Sequence, residues 1–365
     1  MGWKKILKIT FSILIPIAVL WGGYSIWKAL TTPDIPPPIG ANKPTGLAVD
    51  LPEAQKLTAL SRSAIFDYWV NYKTGAIYFL NLSGQVIKKT GDSEEPANSQ
   101  TIDKLNSVQP SPDGTFAVAK FNYPALPTFS IFNTVTNAWQ PLPQDTIATA
   151  WATSSQQLAY LENKNNAGTL KILNIVSQKT QEVVKMNQKD VRLAWIDPPE
   201  IFFITSSPAA DLPSSLWSIN IKNKTLKPLI KDESGLTINW SKEGDLGLKL
   251  KSDKRAPKIS LIDNLGNTLR EFSFITLPEK CAIEKGKLYC GIPKFLREGL
   301  VLPDDYYKKA VYFQDDLYSI DLASGAVSLL FNGDETLIDA CHLSIQGGQL
   351  LFINRYDNKL YSLQL

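Results

Sequence analysis

The hexapeptide LYSIDL, residues 317–322, decides the fold, because six loosely similar hexapeptides occur elsewhere in the 365-residue chain. Each is a short apolar or aromatic run that ends in or just after Asn, Asp or Gln. The other copies are IYFLNL (77–82), FSIFNT (129–134), LKILNI (170–175), LWSINI (216–221), ISLIDN (259–264) and LYSLQL (360–365). Successive copies begin 41 to 58 residues apart. Such runs predict β-strands, and the Asx residues predict the turns that follow them.

A second pattern keeps the same period. Trp151, Trp195 and Trp240 each precede a turn-like stretch and another apolar strand, and QPSPDGTFAVAKF (109–121) takes this place in an earlier unit. Each unit therefore reads as strand, tight turn, strand, variable loop, hexapeptide strand, turn and strand. Four short antiparallel strands every ~40–45 residues predict propeller blades. We expect an all-β, seven-bladed β-propeller of four-stranded antiparallel blades, since a pair of β-sandwiches explains seven similar periods poorly.

Two of these segments resemble the repeats of a known fold group. SPDG (111–114) and LYSIDLASGAVSLL (317–330) resemble the repeats of WD-like and TolB-type β-propellers, and the resemblance covers about residues 55–365. The WD dipeptide itself is absent. The resemblance implies a fold and no particular activity, because propellers carry many functions.

The last hexapeptide, LYSLQL, raises the question of how the ring closes. It is predicted to be the third strand of blade seven, and no residues follow it to form a fourth. An unpaired strand edge needs a partner. We expect a strand near the N-terminus to supply it, either QKLTALS (55–61) or, as the alternative, GLAVDL (46–51). The propeller domain is predicted to span residues 47–365.

The N-terminal region predicts a membrane anchor. Residues 1–30 contain four lysines and no acid, and 9–27 is a run of 19 uncharged residues. As a helix this run is roughly 28 Å long, about the thickness of a bilayer's hydrocarbon core. We expect a transmembrane helix at 9–30 with a basic cytoplasmic tail at 1–8, and a cell-membrane protein whose later residues are extracytoplasmic. A cleaved signal peptide is the alternative.

Two further segments follow from composition. Residues 31–46, TTPDIPPPIGANKPTG, contain five prolines and predict an extended spacer. Beyond residue 30 the chain has 34 basic and 35 acidic residues. This near-neutral balance argues against nucleic-acid binding, which needs a concentrated basic surface.

The usual catalytic motifs are missing. The chain has one histidine, His342, which rules out histidine-rich metal sites. It contains no G-x-S-x-G elbow, no phosphate-binding or dinucleotide glycine motif and no sialidase-type Asp box. We therefore predict no catalytic residue, no cofactor and no metal. His342 is expected on an inner strand of blade seven, as a hydrogen-bonded structural residue.

The cysteines suggest one disulfide bond. CAIEKGKLYC (281–290) reads as a β-hairpin with Lys285 and Gly286 at the turn, which places Cys281 opposite Cys290. Their spacing lies within reach of a disulfide. Two free, buried thiols are the alternative. Cys341 is left over and is expected to be buried.

Three loops are candidates for a binding surface. The longest is 293–312, and NYPALPT (122–128) and SSPAADLPSS (206–215) occupy the same part of their own repeats. Equivalent blades would place all three loops on one face. The candidate partner-contacting residues are Asp304, Asp305, Tyr306, Tyr307, Tyr123, Leu126 and Leu212.

Taken together, these features predict a membrane-tethered, extracytoplasmic propeller that is not an enzyme. It would bind a protein partner in an envelope or surface assembly. The alternative is an extracytoplasmic enzyme or saccharide binder that uses carboxylates of the central channel.

Overall fold

The computed structural model describes residues 42–46 and 57–365, except 124–125, 165–166, 189, 198, 206–207 and 254. By its internal contacts the chain divides into two units, and the propeller belongs to the unit formed by 40–296 and 301–365. The other unit is 1–39 with 297–300. Of that unit only 297–300 is described, and there the Leu300 N–H donates to the carbonyl of Arg297.

The propeller consists of seven four-stranded antiparallel sheets, and each sheet is one blade. The strand β1 (Thr58–Ala59) precedes blade 1. Blade 1 contains β2 (Ile65–Val70), β3 (Ile77–Asn81), β4 (Gln85–Thr90) and β5 (Ser93–Thr101), and blade 2 contains β6 (Ser107–Pro110), β7 (Phe116–Phe121), β8 (Thr128–Asn133) and β9 (Ala138–Pro141). Blade 3 contains β10 (Thr146–Trp151), β11 (Gln157–Lys164), β12 (Ala167–Asn174) and β13 (Thr180–Met186), and blade 4 contains β14 (Val191–Asp197), β15 (Glu200–Thr205), β16 (Pro213–Asn220) and β17 (Leu226–Ser234).

Blades 5 to 7 complete the ring. Blade 5 contains β18 (Thr237–Trp240), β19 (Leu246–Asp253), β20 (Ala256–Asp263) and β21 (Thr268–Phe272), and blade 6 contains β22 (Cys281–Glu284), β23 (Lys287–Pro293), β24 (Asp315–Asp321) and β25 (Val327–Phe331). Blade 7 contains β26 (Ala340–Gln346), β27 (Gln349–Asn354), β28 (Lys359–Gln364) and, on its outer edge, β1. A 3₁₀ turn (Pro278–Lys280) precedes β22, and the short helix α1 (Asp304–Tyr307) lies between β23 and β24.

The core lies between neighbouring blades. Leu161 and Leu170 of blade 3 form one cluster with Trp195 and Phe203 of blade 4. Since both faces of a blade are covered by its neighbours, a middle strand buries consecutive side chains, as residues 201–204 do. A strand buried on both faces reads as a continuous apolar run, which is why the hexapeptides stand out in the sequence.

The first hexapeptide differs from the other six in its place within the blade. Residues 77–81 form β3, a second strand, whereas the later copies form third strands. Second and third strands are both buried on two faces, so their apolar patterns look alike. The Asx turns are present as expected: Asp321 Oδ1 accepts from the N–H groups of Ala323 and Ser324 at 3.1 and 2.7 Å.

The ring is closed by the N-terminal strand. β1 pairs antiparallel with β28, with Thr58 opposite Ser362 and Ala59 opposite Tyr361. Next to this pairing, the N–H of Leu60 donates to the carbonyl of Leu360 at 2.7 Å. The closing strand lies in the favoured segment 55–61. The alternative, 46–51, lies outside the described residues apart from Gly46.

Residues 42–46 belong to the propeller and not to a spacer. Asn42 is 2% exposed, and its Nδ2 donates to the carbonyls of Ile275 and Pro293 at 2.7 and 2.9 Å. The N–H of Ile275 donates back to Asn42 Oδ1 at 2.7 Å. This side chain therefore ties blade 5 to blade 6. Proline content suggested a spacer throughout 31–46, but one amide side chain with three hydrogen bonds fixes its C-terminal part.

The hairpin of blade 6 contains a disulfide bond. β22 pairs Cys281 with Cys290, and their sulfur atoms are bonded. Lys285 and Gly286 both have positive φ, as the two central residues of a type I′ turn require. Cys341 is a free, buried thiol on β26.

The predicted membrane location is corrected. No helix within the described part of the chain is long and apolar enough to cross a membrane. The tail 1–8 and the anchor 9–30 lie outside the described residues. A single-pass anchor and an extracytoplasmic location therefore have no support in this structure.

We predict that β1 is needed for a closed ring. A chain that begins at Ser63 should aggregate and melt at a lower temperature than one that begins at Leu57, because β28 would expose an unpaired strand edge. Both chains lack Asn42, so the comparison isolates the closing strand. Thermal melting and light scattering measure the effect. Equal melting temperatures and two monomeric chains would show that β1 is dispensable.

We also predict that Asn42 stabilises the junction of blades 5 and 6. Replacing Asn42 by Ala leaves three backbone groups without their partner and should lower the free energy of unfolding by about 2–4 kcal/mol. Lys43→Ala, an exposed neighbour, is the control and should change stability little. Urea unfolding of both variants provides the measurement, and equal midpoints would contradict the prediction.

Candidate functional site

A cavity of about 600 Å³ occupies the centre of the ring and is lined by the inner strands of all seven blades. Each inner strand pairs on one side only, so its other edge faces the channel. Five of the lining residues have a carboxyl, amino or imidazole side chain. They are Asp67, Lys242, Glu279, Glu284 and His342.

The two ends of the channel differ. At one end lie the turns that follow the inner strands, with Tyr72, Pro112 and Lys242 in the lining; we call this the turn end. At the other end the inner strands begin, with Glu279 just before β22. The insertion between β23 and β24 lies on this side, which we call the insertion end.

Asp67 and His342 form an ion pair near the insertion end. Nδ1 of His342 lies 2.8 Å from Oδ1 of Asp67, and the N–H of Tyr68 donates to the same oxygen at 2.8 Å. Asp67 is buried, whereas the side chain of His342 is 43% exposed. The charge of Asp67 raises the pKa of His342 to about 9, against the opposing effect of burial. His342 therefore carries a positive charge at neutral pH.

A β-bulge gives His342 its position. The pairing of β26 with β27 shifts between Cys341 and Ser344. Two residues of β26, His342 and Leu343, therefore lie opposite the single residue Phe352 of β27. His342 has a φ of +51°, a left-handed conformation that histidine adopts more readily than most residues. Bulges re-aim side chains and are frequent beside active sites. The hydroxyl of Tyr68 donates to the carbonyl of His342 at 2.7 Å and fixes the bulge.

A buried charge network supports this wall of the channel. Lys280 is fully buried, with its Nζ 2.7 Å from Oδ2 of Asp315 and paired with Asp339. Arg355 Nη1 donates to Asp339 Oδ2 at 2.7 Å, so two cations balance two anions. Lys280 directly follows Glu279. The N–H of Ala340, two residues before His342, donates to Asp315 at 2.7 Å. Removing one partner would leave a buried charge unpaired, which is strongly destabilising.

Helix α1 of the insertion contacts two other blades on this side. Asp304 Oδ2 accepts from the N–H of Ala210 in a loop of blade 4, at 2.7 Å. Arg355 of blade 7 lies 3.9 Å over the ring of Tyr306. Burial raises the pKa of Tyr307, and the nearby charge of Glu279 adds to this effect. Helix α1 is thus connected to blades 4 and 7.

The predicted partner-contacting residues divide into two groups. Tyr306 is only 3% exposed and cannot contact a partner, because its ring is covered by Arg355 and stacked on Phe313. Asp304 and Asp305 accept hydrogen bonds from nearby backbone groups. The remaining four are exposed, and their loops all join the second and third strands of their blades. They are Tyr123, Leu126, Leu212 and Tyr307. A partner surface there stays a prediction.

The channel residues were mostly missed from the sequence. His342 does lie on the inner strand of blade 7, but it faces the cavity. Asp67 left a weak trace: it is an acid inside the apolar strand IFDYWV, where a buried charge requires a partner. Nothing in the sequence distinguished Glu279 from an exposed loop residue.

The described residues contain no group of three His, Cys, Asp or Glu side chains that could hold a metal ion.

Comparisons with known proteins show the fold. No protein-family model matches the sequence, and no curated protein sequence is similar to it. Among solved structures, an oligogalacturonate lyase in complex with manganese has a TM-score of 0.62 at 12% identity, covering 89% of this chain and 98% of its own. The lyase from Vibrio parahaemolyticus has a TM-score of 0.61 at 12% identity, with coverages of 89% and 97%. TolB from Acinetobacter baumannii has a TM-score of 0.43 at 11% identity, with coverages of 93% and 66%.

These similarities overturn the prediction of a non-enzymatic interaction module. It was based on the lack of recognisable motifs, yet both lyases are enzymes with this fold over nearly their whole length. At 12% identity they establish the fold and no activity. The chain is a seven-bladed β-propeller, and it is similar in fold to the two oligogalacturonate lyases.

Proposed function

We propose that this propeller is an acid–base enzyme that acts on a neutral saccharide in its central channel. The observation that supports the proposal most is the Asp67–His342 ion pair, which a β-bulge turns towards the cavity. A structural ion pair would not need a strained backbone that exposes the imidazole to the channel. Perturbed titratable groups in a cleft are typical of catalytic sites.

Three residues of the cavity, His342, Glu279 and Asp67, have a role in the cleavage of a glycosidic bond. His342 is charged, and Nδ1 is held by Asp67, so Nε2 can donate a proton to the leaving oxygen. The bond between carbon and that oxygen breaks with its electron pair on the oxygen. Glu279 supplies a carboxylate that stabilises the positive charge on the sugar and accepts the proton of the attacking water. Asp67 orients His342 and balances its charge.

The cavity lining favours a sugar. About 600 Å³ is the size of a small-molecule site. Tyr72, Trp151, Trp240, Gln109 and Asn239 are among the residues that line the cavity. Aromatic rings beside hydrogen-bonding groups suit the apolar faces and the hydroxyl groups of a sugar ring.

The charged side chains of the cavity favour a neutral sugar over galacturonate, the acidic sugar in the name of the two lyases. Asp67, Glu279 and Glu284 face the cavity against two cations, His342 and Lys242. Burial raises the pKa of Glu284, which lessens but does not reverse this balance. A galacturonate carboxylate would meet no surplus of positive charge. The lyases' substrate is therefore a poor guide to the substrate of this chain.

We predict that neutral oligosaccharides are cleaved and oligogalacturonate is not. A panel of both, followed by chromatography of the products, identifies the substrate. On that substrate His342→Gln and Glu279→Gln should each lower kcat by about 10²–10⁴-fold, the usual contribution of a proton-transfer group. Lys258→Ala, which breaks an exposed ion pair with Asp253, is the control and should be as active as wild type. Preferential cleavage of oligogalacturonate, or full activity of both channel variants, would refute the proposal.

We also predict that His342 titrates at about pH 9. As the only histidine, it gives one pair of imidazole resonances in NMR of the untagged protein. In Asp67→Asn the midpoint should fall towards the ordinary pKa of about 6.5. Because the pKa of His342 in the folded state is higher than its ordinary pKa, the ion pair stabilises the folded state fully below about pH 6.5. This stabilisation is lost as the pH rises through 9. A wild-type midpoint near 6.5 would contradict the prediction.

A further inference from the structure

We infer that the ring of Tyr72 is a sugar-binding surface at the turn end of the channel, and that Lys242 covers this ring until a saccharide displaces it. The inference rests on the proposed function for the class of ligand, a neutral saccharide. The covering contact itself depends only on the turn end, where both residues line the cavity.

The contact between Lys242 and Tyr72 crosses the turn end of the channel. The Nζ of Lys242 lies 3.5 Å from the centre of the Tyr72 ring. Tyr72 belongs to the turn after β2 of blade 1, and Lys242 belongs to the turn after β18 of blade 5. These blades are not neighbours in the ring, since blades 6 and 7 lie between them. The two side chains therefore meet over the central cavity and not between packed blades.

Equivalent turns place one residue of each of four blades at this end. In blades 1, 2, 3 and 5 the turn between the first two strands opens with the same backbone hydrogen bond, and the residue that follows is Tyr72, Pro112, Thr153 or Lys242. All four residues line the cavity. Of these four, Tyr72 alone offers an aromatic surface to a ligand, and Lys242 alone has the length and charge to cover it.

The backbone on each side of the contact is fixed by hydrogen bonds. The N–H of Tyr72 donates to the carbonyl of Asp113 in blade 2 at 3.1 Å. In the turn that contains Lys242, the hydroxyl of Ser241 accepts from the N–H of Gly244 at 3.0 Å. Uncovering the ring therefore requires a movement of the lysine side chain and no rearrangement of the blades.

The lysine covers the ring only weakly. Lys242 is exposed, and a cation–π contact at an exposed site is worth a factor of about 2–5 in an equilibrium constant. Tyr72 is still 37% exposed with the lysine over its ring, so a ligand can reach it. The uncovered ring suits a sugar, because the apolar face of a sugar packs on an aromatic ring and the phenol hydroxyl can hydrogen-bond to a sugar hydroxyl.

Tyr72 binds a part of the ligand that is remote from the cleaved bond. It follows Asp67 by five residues, which is roughly 15 Å along the strand and its turn. This distance exceeds the length of one sugar ring, so a ligand that contacts both residues is an oligosaccharide. Loss of the ring should therefore raise KM and leave the chemical step at His342 in place.

NMR of methylated lysines tests the covering contact without a ligand. Reductive methylation with isotope-labelled formaldehyde marks each lysine and keeps its charge. The resonance of methylated Lys242, identified by its loss in Lys242→Ser, should lie upfield of the other lysines because the ammonium lies over the face of a ring. It should stay upfield in Tyr72→Phe and join the other lysines in Tyr72→Leu. An ordinary shift in the wild-type protein would overturn the inference.

Titration calorimetry tests the sugar-binding surface, with cello-, xylo- and manno-oligosaccharides as probes and a His342→Gln background that prevents cleavage. Tyr72→Leu should weaken binding about fivefold, and Tyr72→Phe, which keeps the ring, should weaken it less than about twofold. Lys242→Ser should tighten binding about 2–5-fold, because the ligand no longer competes with the lysine. The control Lys222→Ser removes an exposed lysine from another turn on the same face and should have no effect.

Adding a saccharide that binds should move the Lys242 resonance to the position of the other lysines. A bound saccharide that leaves this resonance upfield would contradict the displacement of Lys242. Binding that depends on Tyr72 without any cleavage by the wild-type protein would support the inference and refute the proposed enzyme. Cleavage with the same KM in Tyr72→Leu and wild type would support the enzyme and refute the inference.

Discussion

The closure of the ring at blade 7 is the constraint on which the site depends. β1 pairs with β28, and blade 7 then packs against blade 1. Asp67 belongs to blade 1 and His342 to blade 7, so their ion pair spans this junction. Tyr68 spans it as well, through its bond to the carbonyl of His342. The pair that defines the candidate site can form only when the two ends of the propeller meet.

The sequence predicts the architecture well because the strands of a blade are close together in the sequence. A buried strand gives an apolar run, an Asx residue gives the turn, and the repeat of both gives the number of blades. Residues 77–81 were predicted to be the third strand of blade 1 but form its second strand. The two strands are alike in their local apolar pattern, which caused this error. Asn42 was missed for the opposite reason. Its partners lie more than 230 residues away, and a proline-rich context gave no sign of them.

The candidate site could not be predicted, because its residues come from different blades. Asp67 and His342 are 275 residues apart, and no linear motif can contain both. The bulge that places His342 is invisible in the sequence. Lys280 shows the same limit: it is fully buried and paired with Asp315 and Asp339, which are 35 and 59 residues away in the sequence. Missing motifs were therefore poor evidence against an enzyme.

The insertion joins two adjacent strands of one blade, and this position gives it an unusual independence. Its ends, at β23 and β24, are neighbours in the sheet, so its length can change without altering the pairing of any strand. The strand pairing of the ring would remain, but a deletion that removed Phe313 would take from the buried charge network the hydrogen bond that its N–H donates to Asp339. Changes of length in this molecule are therefore confined to the stretches of the loop between its anchored residues.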